Sequence, residues 1–299
     1  GKDLPMVHRL RADAELVRRK LARSREHAAD LIKAGCVTCN GMPVKKPASV
    51  VSSDAPLVVE ELEEYKWASR GAHKLLGALA AFGPQGLTVE GKRCLDAGAS
   101  TGGFTDVLLE NGALHVVGVD VGYGQMIWRL QNDPRVTVLD RTNVRSIDAA
   151  SIGGPVDLVV SDLSFISLTL VLDALLACCT DDAQMMLMVK PQFEVGKDNV
   201  GAGGVVRDPA QRQKAICQVA QKALDLGMGI RDIAASPLPG PSGNVEYFLW
   251  IEAYPHSQCG SEENDTDSLT RPLCIVGNDD EALFQISALA AEAVEKGPQ

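Results

Sequence analysis

Apolar positions in the first sixty residues follow a helical spacing and then a strand-like spacing. The helical part includes Leu16, Val17, Leu21, Ala28, Ala29, Leu31 and Ile32. Ser24 can cap the second of two short helices, and Gly35 can end it. The stretch that follows, CVTCNGMPVKKPASVV, predicts a hairpin because Asn40-Gly41 is a type I′ turn signal. We therefore expect a small α+β unit with two basic helices.

From residue 69 onward, short apolar runs alternate with helical patterns. The predicted strands are 92–97, 114–120, 135–139, 156–161, 184–189, 230–235 and 245–251. Residues 280–295 predict a final amphipathic helix, and the apolar run from Leu163 to Cys179 predicts a buried helix. Strands that alternate with helices are typical of a doubly wound α/β fold with a largely parallel sheet.

These patterns divide the chain of 299 residues into two predicted domains. The N-terminal α+β domain spans residues 7–59, and residues 60–68 form the linker. The α/β domain spans residues 69–299 and is long enough to bury a sizeable core. Within it, residues 255–272 are acidic and polar, so we expect a disordered loop there.

Charge is distributed unevenly, although the net charge of the whole chain is −10. Residues 1–50 hold 11 Lys and Arg against 5 Asp and Glu, whereas residues 252–299 hold 2 against 10. A basic module joined to an acidic body predicts RNA contact at the N-terminal domain. The candidate phosphate contacts are Arg11, Arg18, Arg19, Lys20, Arg23, Arg25, Lys33, Lys45 and Lys46. The alternative is an ordinary solvated helix face, but the arginines cluster around one helix-to-helix junction.

Composition disfavours membrane, secreted and metal-binding proteins. The chain begins polar and Arg-rich without an apolar signal segment, and no apolar run reaches about 18 residues. We therefore expect a cytoplasmic protein. The eight cysteines are scattered, which disfavours a disulfide framework. Cys36 and Cys39 form a C-x-x-C without a second pair, so we expect no metal site.

The stretch LDAGASTGGFTDVLL, residues 95–109, combines a strand end, a glycine-rich turn and a helix start. Such a turn directs backbone N–H groups and a helix N-terminus into one crevice. The dinucleotide fingerprint G-x-G-x-x-G lacks its second glycine here, because Ser100 stands between Gly98 and Gly103. This substitution argues against a bound pyrophosphate and therefore against a nicotinamide cofactor.

Three carboxylates end three successive predicted strands, at Asp96, Asp120 and Asp140. Acids at this edge suit a neutral or cationic nucleoside, and S-adenosylmethionine is such a ligand. The glycines are expected to admit its methionine part. The loop residues expected to contact it are Gly98, Ser100, Thr101, Gly102 and Gly103. The alternative is that each acid only caps the helix that follows it.

Four further charged residues fall at the same predicted edge of the sheet. Asp162 ends the fourth strand, Lys190 ends the fifth, and Glu246 begins the last. Lys74 lies in SRGAHKLLGALAAF, a predicted helix with Ser69 as its N-cap. Each of them alone is also compatible with an ordinary strand-end or turn charge.

Several long motifs resemble the TlyA family. They are SRGAHKL, LDAGASTGGFT, DVGYGQ, SDLSFISL, VKPQFEVGK and SPLPGPSGNVEYFLW, and LARSREHAADLIKAGCVTCNG resembles the S4 RNA-binding module. The resemblance implies an S4 domain joined to an FtsJ-like, seven-stranded Rossmann-like methyltransferase domain. It also implies S-adenosylmethionine-dependent ribose 2′-O-methylation of cytidine in 16S or 23S ribosomal RNA, or in both. The implied partners are the 30S and 50S subunits, without a metal or a stable membrane association.

The family's Lys-Asp-Lys-Glu tetrad maps onto Lys74, Asp162, Lys190 and Glu246. A ribose 2′-hydroxyl is a poor nucleophile and must lose its proton as it attacks a methyl group, and a neutral lysine amine can accept that proton. Our hypothesis makes Lys190 the base and Lys74 the group that stabilises the developing alkoxide. Asp162 and Glu246 then orient the two lysines.

Residues 194–209, EVGKDNVGAGGVVRDP, predict a mobile loop at the mouth of the site, with Asp208-Pro209 starting the next helix. Lys197 and Arg207 are candidates for RNA contact, although a solvated loop explains them equally well. Three other functions compete with the methyltransferase hypothesis. They are a non-catalytic ribosome assembly factor, a membrane-lytic haemolysin and a small-molecule O-methyltransferase.

Overall fold

A computed structural model describes residues 8–60, 66–256 and 274–299. The N-terminal unit contains two helices, α1 (Ala12–Arg18) and α2 (Arg25–Lys33). Its strands are β1 (Arg9–Arg11), β2 (Val37–Cys39), β3 (Met42–Pro43), β4 (Val50–Ser52) and β5 (Leu57–Val59). Strand β1 pairs with β4, and β3, β2 and β5 form a separate three-stranded sheet in that order. Buried Leu16, Ile32 and Val37 belong to the core of this unit.

Local sequence signals explain the α2 helix and the hairpin. The Ser24 hydroxyl accepts a hydrogen bond from the backbone N–H of His27, so Ser24 is the N-cap as predicted. Asn40 and Gly41 both have positive φ, 52° and 77°, which is the type I′ arrangement that the sequence indicates. Arg9–Arg11 pair as a strand with Val50–Ser52, which the sequence patterns did not indicate.

Seven strands form one sheet in the larger part of the described chain. They are β6 (Arg93–Ala97), β7 (His115–Val119), β8 (Val136–Leu139), β9 (Val156–Ser161), β10 (Cys179–Val189), β11 (Gly229–Ala235) and β12 (Tyr247–Glu252). Their order is β11-β12-β10-β9-β6-β7-β8. Strands β6 to β10 are parallel, whereas β12 is antiparallel to both of its neighbours. All seven predicted strands are confirmed, as is the doubly wound α/β fold.

Helices cover both faces of this sheet. They are α3 (Ala72–Phe82), α4 (Gly103–Glu110), α5 (Trp128–Gln131), α6 (Leu172–Ala177), α7 (Pro209–Asp225) and α8 (Asp280–Lys296). Helices α6, α7 and α8 pack on the face that carries Leu95, and α3 and α4 on the opposite face with Cys94. Neighbouring residues of a strand therefore enter different cores, as strand geometry requires.

Two helix starts in this part of the chain test the capping predictions. Asp208 caps α7 through the backbone N–H of Ala210, with Pro209 at the first helical position, as predicted. The prediction that Ser69 is the N-cap of α3 was wrong. Gly71 occupies that position without a side-chain cap, because the backbone C=O of Ser69 accepts the N–H of Ala72 in a preceding turn.

The apolar run from Leu163 to Cys179 forms less helix than predicted. A 3₁₀ turn at Leu168–Leu170 precedes the six residues of α6, and Cys179 already begins β10. The reason lies at Phe165, whose φ of 64° is incompatible with a continuing right-handed helix. No helix within the described ranges is long and apolar enough to span a bilayer.

Parts of two sequence predictions lie outside the described residues. They concern the linker at 60–68, of which 61–65 are not described, and the acidic loop at 255–272, of which 257–272 are not described.

Candidate active site

Four charged side chains meet at one edge of the large sheet. Lys190 Nζ contacts Asp162 Oδ1, and Lys74 Nζ lies 3.8 Å from Asp162 Oδ2. The same Lys74 Nζ lies 3.2 Å from Glu246 Oε1. The structure therefore brings together all four residues that the sequence analysis selected, as a chain of alternating charges. We call this group the tetrad.

Sheet topology explains why these residues converge. Asp162 and Lys190 directly follow the adjacent parallel strands β9 and β10, whose carboxyl ends lie at the same edge. Strand β12 runs antiparallel to β10, with Tyr247 opposite Val189, so Glu246 just before β12 lies at that edge too. Helix α3 packs on the sheet face that carries Cys94 and brings Lys74 to this edge.

Burial makes the pairing within the tetrad necessary. Lys74, Lys190 and Glu246 are 8%, 5% and 0% exposed, and buried charges are stable only when they are paired or hydrogen-bonded. Glu246 satisfies both of its oxygens, because Gln192 Nε2 donates to Oε2 at 3.0 Å while Lys74 contacts Oε1. When both lysines carry a proton, they balance the two carboxylates, and the site then has no net charge.

The tetrad separates two cavities. The first, which we call the loop cavity, has a volume of about 630 Å³ and is lined by the glycine loop together with Lys74 and Asp162. The second, which we call the aromatic cavity, has a volume of about 730 Å³ and is lined by Phe165 and Phe193 together with Lys190 and Glu246. A group held in one cavity and a group held in the other would therefore meet at the tetrad.

Phe165 is a residue that the sequence analysis missed. Its side chain is 89% exposed, and its ring centroid lies 5.0 Å from that of Phe193. Its φ of 64° is rare for a bulky residue and strains the backbone. Strained backbone of this kind clusters at functional sites. No spacing rule marks a single phenylalanine after a strand, so only the structure reveals it.

The glycine loop approaches the chain itself very closely. A Cβ on Gly98, where φ is +82°, would lie 2.4 Å from the carbonyl oxygen of Asp162. A Cβ on Gly103 would lie 2.2 Å from Ser69 Oγ and 3.0 Å from the backbone nitrogen of Ala72. Close packing against the backbone of Asp162 and against Ser69 therefore explains why glycine is needed at these two positions, which the sequence did not show. They allow the loop to contact the backbone of Asp162, directly after β9, and the start of α3.

The three strand-end acids lie beside the loop cavity and do not line it. Asp120 accepts the backbone N–H groups of Ser100 and Gly122 at 2.7 and 2.8 Å, and Asp140 accepts that of Gly124 at 3.2 Å. Both acids therefore hold the loops that surround the cavity. Of the predicted loop contacts, Gly98, Ser100, Thr101 and Gly103 line the cavity, and Gly102 does not.

Asp96 is fully buried beneath the glycine loop. Thr105 Oγ1 donates to Asp96 Oδ2 at 2.8 Å, while Oδ1 has no hydrogen-bond partner among the described residues. Burial raises the pKa of this carboxyl to about 7. A pH change near neutrality therefore changes the charge of Asp96.

Comparison with known proteins gives this architecture a family. The FtsJ-like methyltransferase family matches residues 67–253, and the S4 domain matches residues 10–55. The 16S/23S rRNA (cytidine-2′-O)-methyltransferase TlyA of Mycobacterium tuberculosis is 60% identical over 246 residues, which cover 82% of this chain and 91% of that protein. The chain belongs to the TlyA family of FtsJ-like methyltransferases.

Two further proteins match over most of their length. The 23S rRNA (cytidine-2′-O)-methyltransferase TlyA of Campylobacter jejuni is 31% identical and covers 78% of this chain and 96% of its own. A solved structure described as a hemolysin from Streptococcus thermophilus has a TM-score of 0.64 at 33% identity, and covers 96% of this chain and 98% of that one.

Two buried acids of the S4 domain organise its basic residues. Asp13 contacts Arg11 and Arg25, at 3.0 and 3.2 Å. Glu15 contacts Arg18 and Arg19. Hydrogen bonds from Arg11 lower the pKa of Asp13 to about 2, and those from Arg18 lower the pKa of Glu15 to about 2. The acids thus stay ionised and fix the arginine side chains.

The structure separates the predicted phosphate contacts into two groups. Arg19 is half-buried and donates to the backbone carbonyls of residues 52, 53 and 55, which is a structural task within the S4 domain. The exposed ones are Arg11, Arg18, Lys20, Arg23, Arg25, Lys33, Lys45 and Lys46.

The S4 domain contacts the methyltransferase domain at α5. The Asp30 carboxylate accepts the backbone N–H of Trp128, and the His27 ring stacks on the indole at a centroid distance of 5.7 Å. Arg23 lies over the same indole, 4.9 Å from its centroid. Arg23 is therefore partly occupied by this contact.

The predicted loop at 194–209 contains two 3₁₀ turns, Lys197–Asn199 and Ala202–Gly204. Lys197 lines the aromatic cavity, whereas Arg207 is exposed and does not line it. Among the described residues, no group of three His, Cys, Asp or Glu is arranged to hold a metal ion.

Proposed function

We propose that this protein transfers the methyl group of S-adenosylmethionine to the ribose 2′-oxygen of a cytidine in ribosomal RNA. The observation that carries the proposal is the buried tetrad between two cavities, one beside a glycine loop and one beside exposed aromatic rings. The ribosomal substrate comes from the relatives, since the M. tuberculosis and C. jejuni proteins are described as rRNA (cytidine-2′-O)-methyltransferases.

The loop cavity suits S-adenosylmethionine in size, because its volume of about 630 Å³ lies in the usual range for small-molecule sites. When bound, the cofactor supplies a methyl group on a sulfonium. Gly98, Ser100, Thr101 and Gly103 would contact it directly. Asp96, Gly102, Asp120 and Asp140 would shape the loops and the field around it.

The tetrad can remove the hydroxyl proton and stabilise the resulting charge. Lys190, in its neutral form, accepts the 2′-hydroxyl proton, and Lys74 stabilises the negative charge that develops on the oxygen. Asp162 contacts both lysines and orients them toward each other. Glu246 holds Lys74 from the other side, so that Lys74 lies between two carboxylates.

The aromatic cavity suits the nucleotide that is methylated. Unstacked bases in single-stranded parts of a folded RNA stack on exposed aromatic side chains of proteins. Phe165 and Phe193 form such a platform next to Lys190. The ribose of a nucleotide stacked there would lie toward the tetrad.

The S4 domain supplies the sequence-independent part of RNA binding. With residues 7–59 as the RNA-binding domain and 69–299 as the methyltransferase domain, the exposed basic residues contact phosphates. We propose the 30S and 50S subunits as partners, in the cytoplasm, because the relatives' descriptions name both 16S and 23S rRNA or 23S rRNA alone.

The proposal is tested by methyl transfer from labelled S-adenosylmethionine to 30S and 50S subunits that lack the modification. We expect label in a single 2′-O-methylcytidine of each substrate subunit, located by mapping ribose methyl groups. Cofactor binding without label on either subunit would instead support a non-catalytic assembly factor. Leakage of lipid vesicles exposed to the purified protein, again without label, would support a lytic function.

A further inference from the structure

The amine of Lys190 has two acceptors among the described residues. One is the carboxylate of Asp162, and the other is the hydroxyl of Ser164, whose Oγ accepts from Lys190 Nζ at 3.1 Å. Both acceptors belong to one short segment directly after β9, two residues apart. The contact of Lys190 with Asp162 forms part of the tetrad, whereas the contact with Ser164 has no role in the mechanism described so far.

A neutral amine has two N–H bonds and one lone pair in a roughly tetrahedral arrangement. Acceptors attract the N–H bonds and repel the lone pair, so two acceptors leave only the third direction for the lone pair. Lys190 and Ser164 both line the aromatic cavity. The direction that remains is therefore the one open to that cavity.

We propose that Ser164 is a positioning residue, which together with Asp162 directs the lone pair of Lys190 at the substrate 2′-hydroxyl. The proposal rests on the proposed function, in which Lys190 is the base. With Asp162 alone, the amine could rotate about its Cε–Nζ bond and direct an N–H bond into the cavity. Ser164 removes that freedom and pre-organises the base before the substrate arrives.

The step balances in protons and electrons. The lone pair of Lys190 forms a new N–H bond with the hydroxyl proton, and the O–H electron pair remains on oxygen. That oxygen forms the bond to the methyl carbon, and the pair of the broken carbon–sulfur bond goes to sulfur. Lys190 ends as an ammonium with three N–H bonds, of which Asp162 and Ser164 accept two, and it returns the proton to water.

The backbone around Ser164 supports a positioning role. The next residue, Phe165, has a φ of 64°, and such a conformation persists only where the surrounding structure enforces it. The chain bends at Phe165 shortly after β9, with Ser164 beside Lys190 and the Phe165 side chain exposed. The acceptor and the aromatic platform thus line the same cavity.

The test compares Ser164→Ala and Ser164→Thr with the wild type in methyl transfer to the RNA substrate. We expect Ser164→Ala to lower kcat about tenfold, with the KM values for RNA and for S-adenosylmethionine unchanged. Ser164→Thr keeps a hydroxyl at the same position and should restore most of kcat. Ser146→Ala removes an exposed serine hydroxyl outside both cavities and should leave all three constants unchanged.

Unchanged kcat in Ser164→Ala, with Lys190→Ala inactive, would overturn this inference and leave the proposed function intact. A tenfold loss that Ser164→Thr fails to restore, or a loss confined to KM, would overturn it too, because the hydroxyl would then not act through Lys190. A wild-type protein that methylates no RNA would overturn both the inference and the proposed function.

Discussion

Asp96, at the end of β6 before the glycine loop, makes the stability of the protein depend on pH near neutrality. Burial raises the pKa of its carboxyl from 3.8 to about 7, so the folded state binds a proton that the unfolded state has released. Between about pH 4 and pH 7 this carboxyl holds more protons in the folded state than in the unfolded state. The contribution of Asp96 to the free energy of unfolding must therefore fall as pH rises through this range.

We predict that Asp96→Asn removes this dependence, because an amide does not titrate. Urea unfolding between pH 5 and pH 8 should show the wild type losing stability relative to Asp96→Asn as pH rises. Asp173→Asn, which changes an exposed carboxylate on α6, should track the wild type. Parallel curves for the wild type and Asp96→Asn would contradict the prediction.

Gly98 permits close contact between the glycine loop and the backbone of Asp162. Gly98→Ala adds a Cβ that would lie 2.4 Å from a backbone oxygen, whereas Gly227→Ala meets nothing within 4 Å at a similar positive φ. Both should lose about 1–2 kcal/mol to the unfavourable backbone conformation. We expect a larger loss in the free energy of unfolding for Gly98→Ala, together with loss of methyl transfer because Asp162 must move.

Equal losses of stability in Gly98→Ala and Gly227→Ala, with methyl transfer retained in both, would contradict this explanation of the loop. Urea unfolding and a methyl-transfer assay on the same two preparations decide it.

The sequence predicts the identity of the tetrad but not its contacts. Asp162 and Lys190 each follow a predicted strand. They can be placed at one edge of the sheet from the sequence, because the carboxyl ends of parallel strands share that edge. Lys74 and Glu246 are 172 positions apart, and no local pattern reports a contact over that separation. The same holds for Phe165, whose importance lies in a backbone angle and an exposed ring.

At the scale of elements, the short helix α5 connects the S4 domain to the glycine loop. Its Trp128 N–H donates to Asp30 of α2, and the N–H of Ile127 donates to the carbonyl of Thr101 in the glycine loop. Leu130 of the same helix would contact a Cβ on Gly102. A change in the contact between α2 and α5 should therefore alter the position of Thr101, which lines the loop cavity.

We predict that Asp30→Ala weakens binding of S-adenosylmethionine several-fold and lowers the free energy of unfolding by about 1 kcal/mol. Loss of the acceptor frees the start of α5, which then holds Thr101 less firmly. Titration calorimetry measures the affinity, and urea unfolding measures the stability. Glu26→Ala, an exposed change on the same helix, is the control. Cofactor affinity equal to the wild type in Asp30→Ala would contradict the connection.

Element boundaries show where sequence patterns stop being informative. The seven strands of the large sheet were predictable because apolar runs and strand-end charges agree. The start of α3 was not, since the turn at Ser69 uses a backbone carbonyl where the sequence offered a capping side chain. Strand β1 was missed because three residues pair with a strand about forty positions away, which no short-range pattern records.

At the scale of the whole molecule, an acidic protein binds an acidic polymer through one basic domain. The net charge is −10, yet the S4 domain presents exposed lysines together with exposed arginines that contact Asp13 and Glu15. Binding to RNA should therefore depend strongly on salt, because each phosphate contact releases counterions.

We predict that Lys45→Ala combined with Lys46→Ala raises the KM for RNA, leaves the affinity for S-adenosylmethionine unchanged and lowers the salt dependence of RNA binding. Each lost phosphate contact should reduce the log–log slope by about 0.7–0.9. Filter binding at several salt concentrations measures the slope. Lys214→Ala, an exposed change on α7, should leave it unchanged. An unaltered slope in the double variant would place the RNA surface elsewhere.

The most direct test of the central claim is the single-turnover rate of methyl transfer to the mapped ribosomal nucleotide, measured for the wild type and for Lys190→Ala with S-adenosylmethionine bound. If the tetrad performs the chemistry with Lys190 as the base, Lys190→Ala binds cofactor and RNA normally and loses methyl transfer by about 10²-fold or more. A Lys190→Ala protein that transfers the methyl group at the wild-type rate would contradict the assignment of this edge of the sheet as the active site.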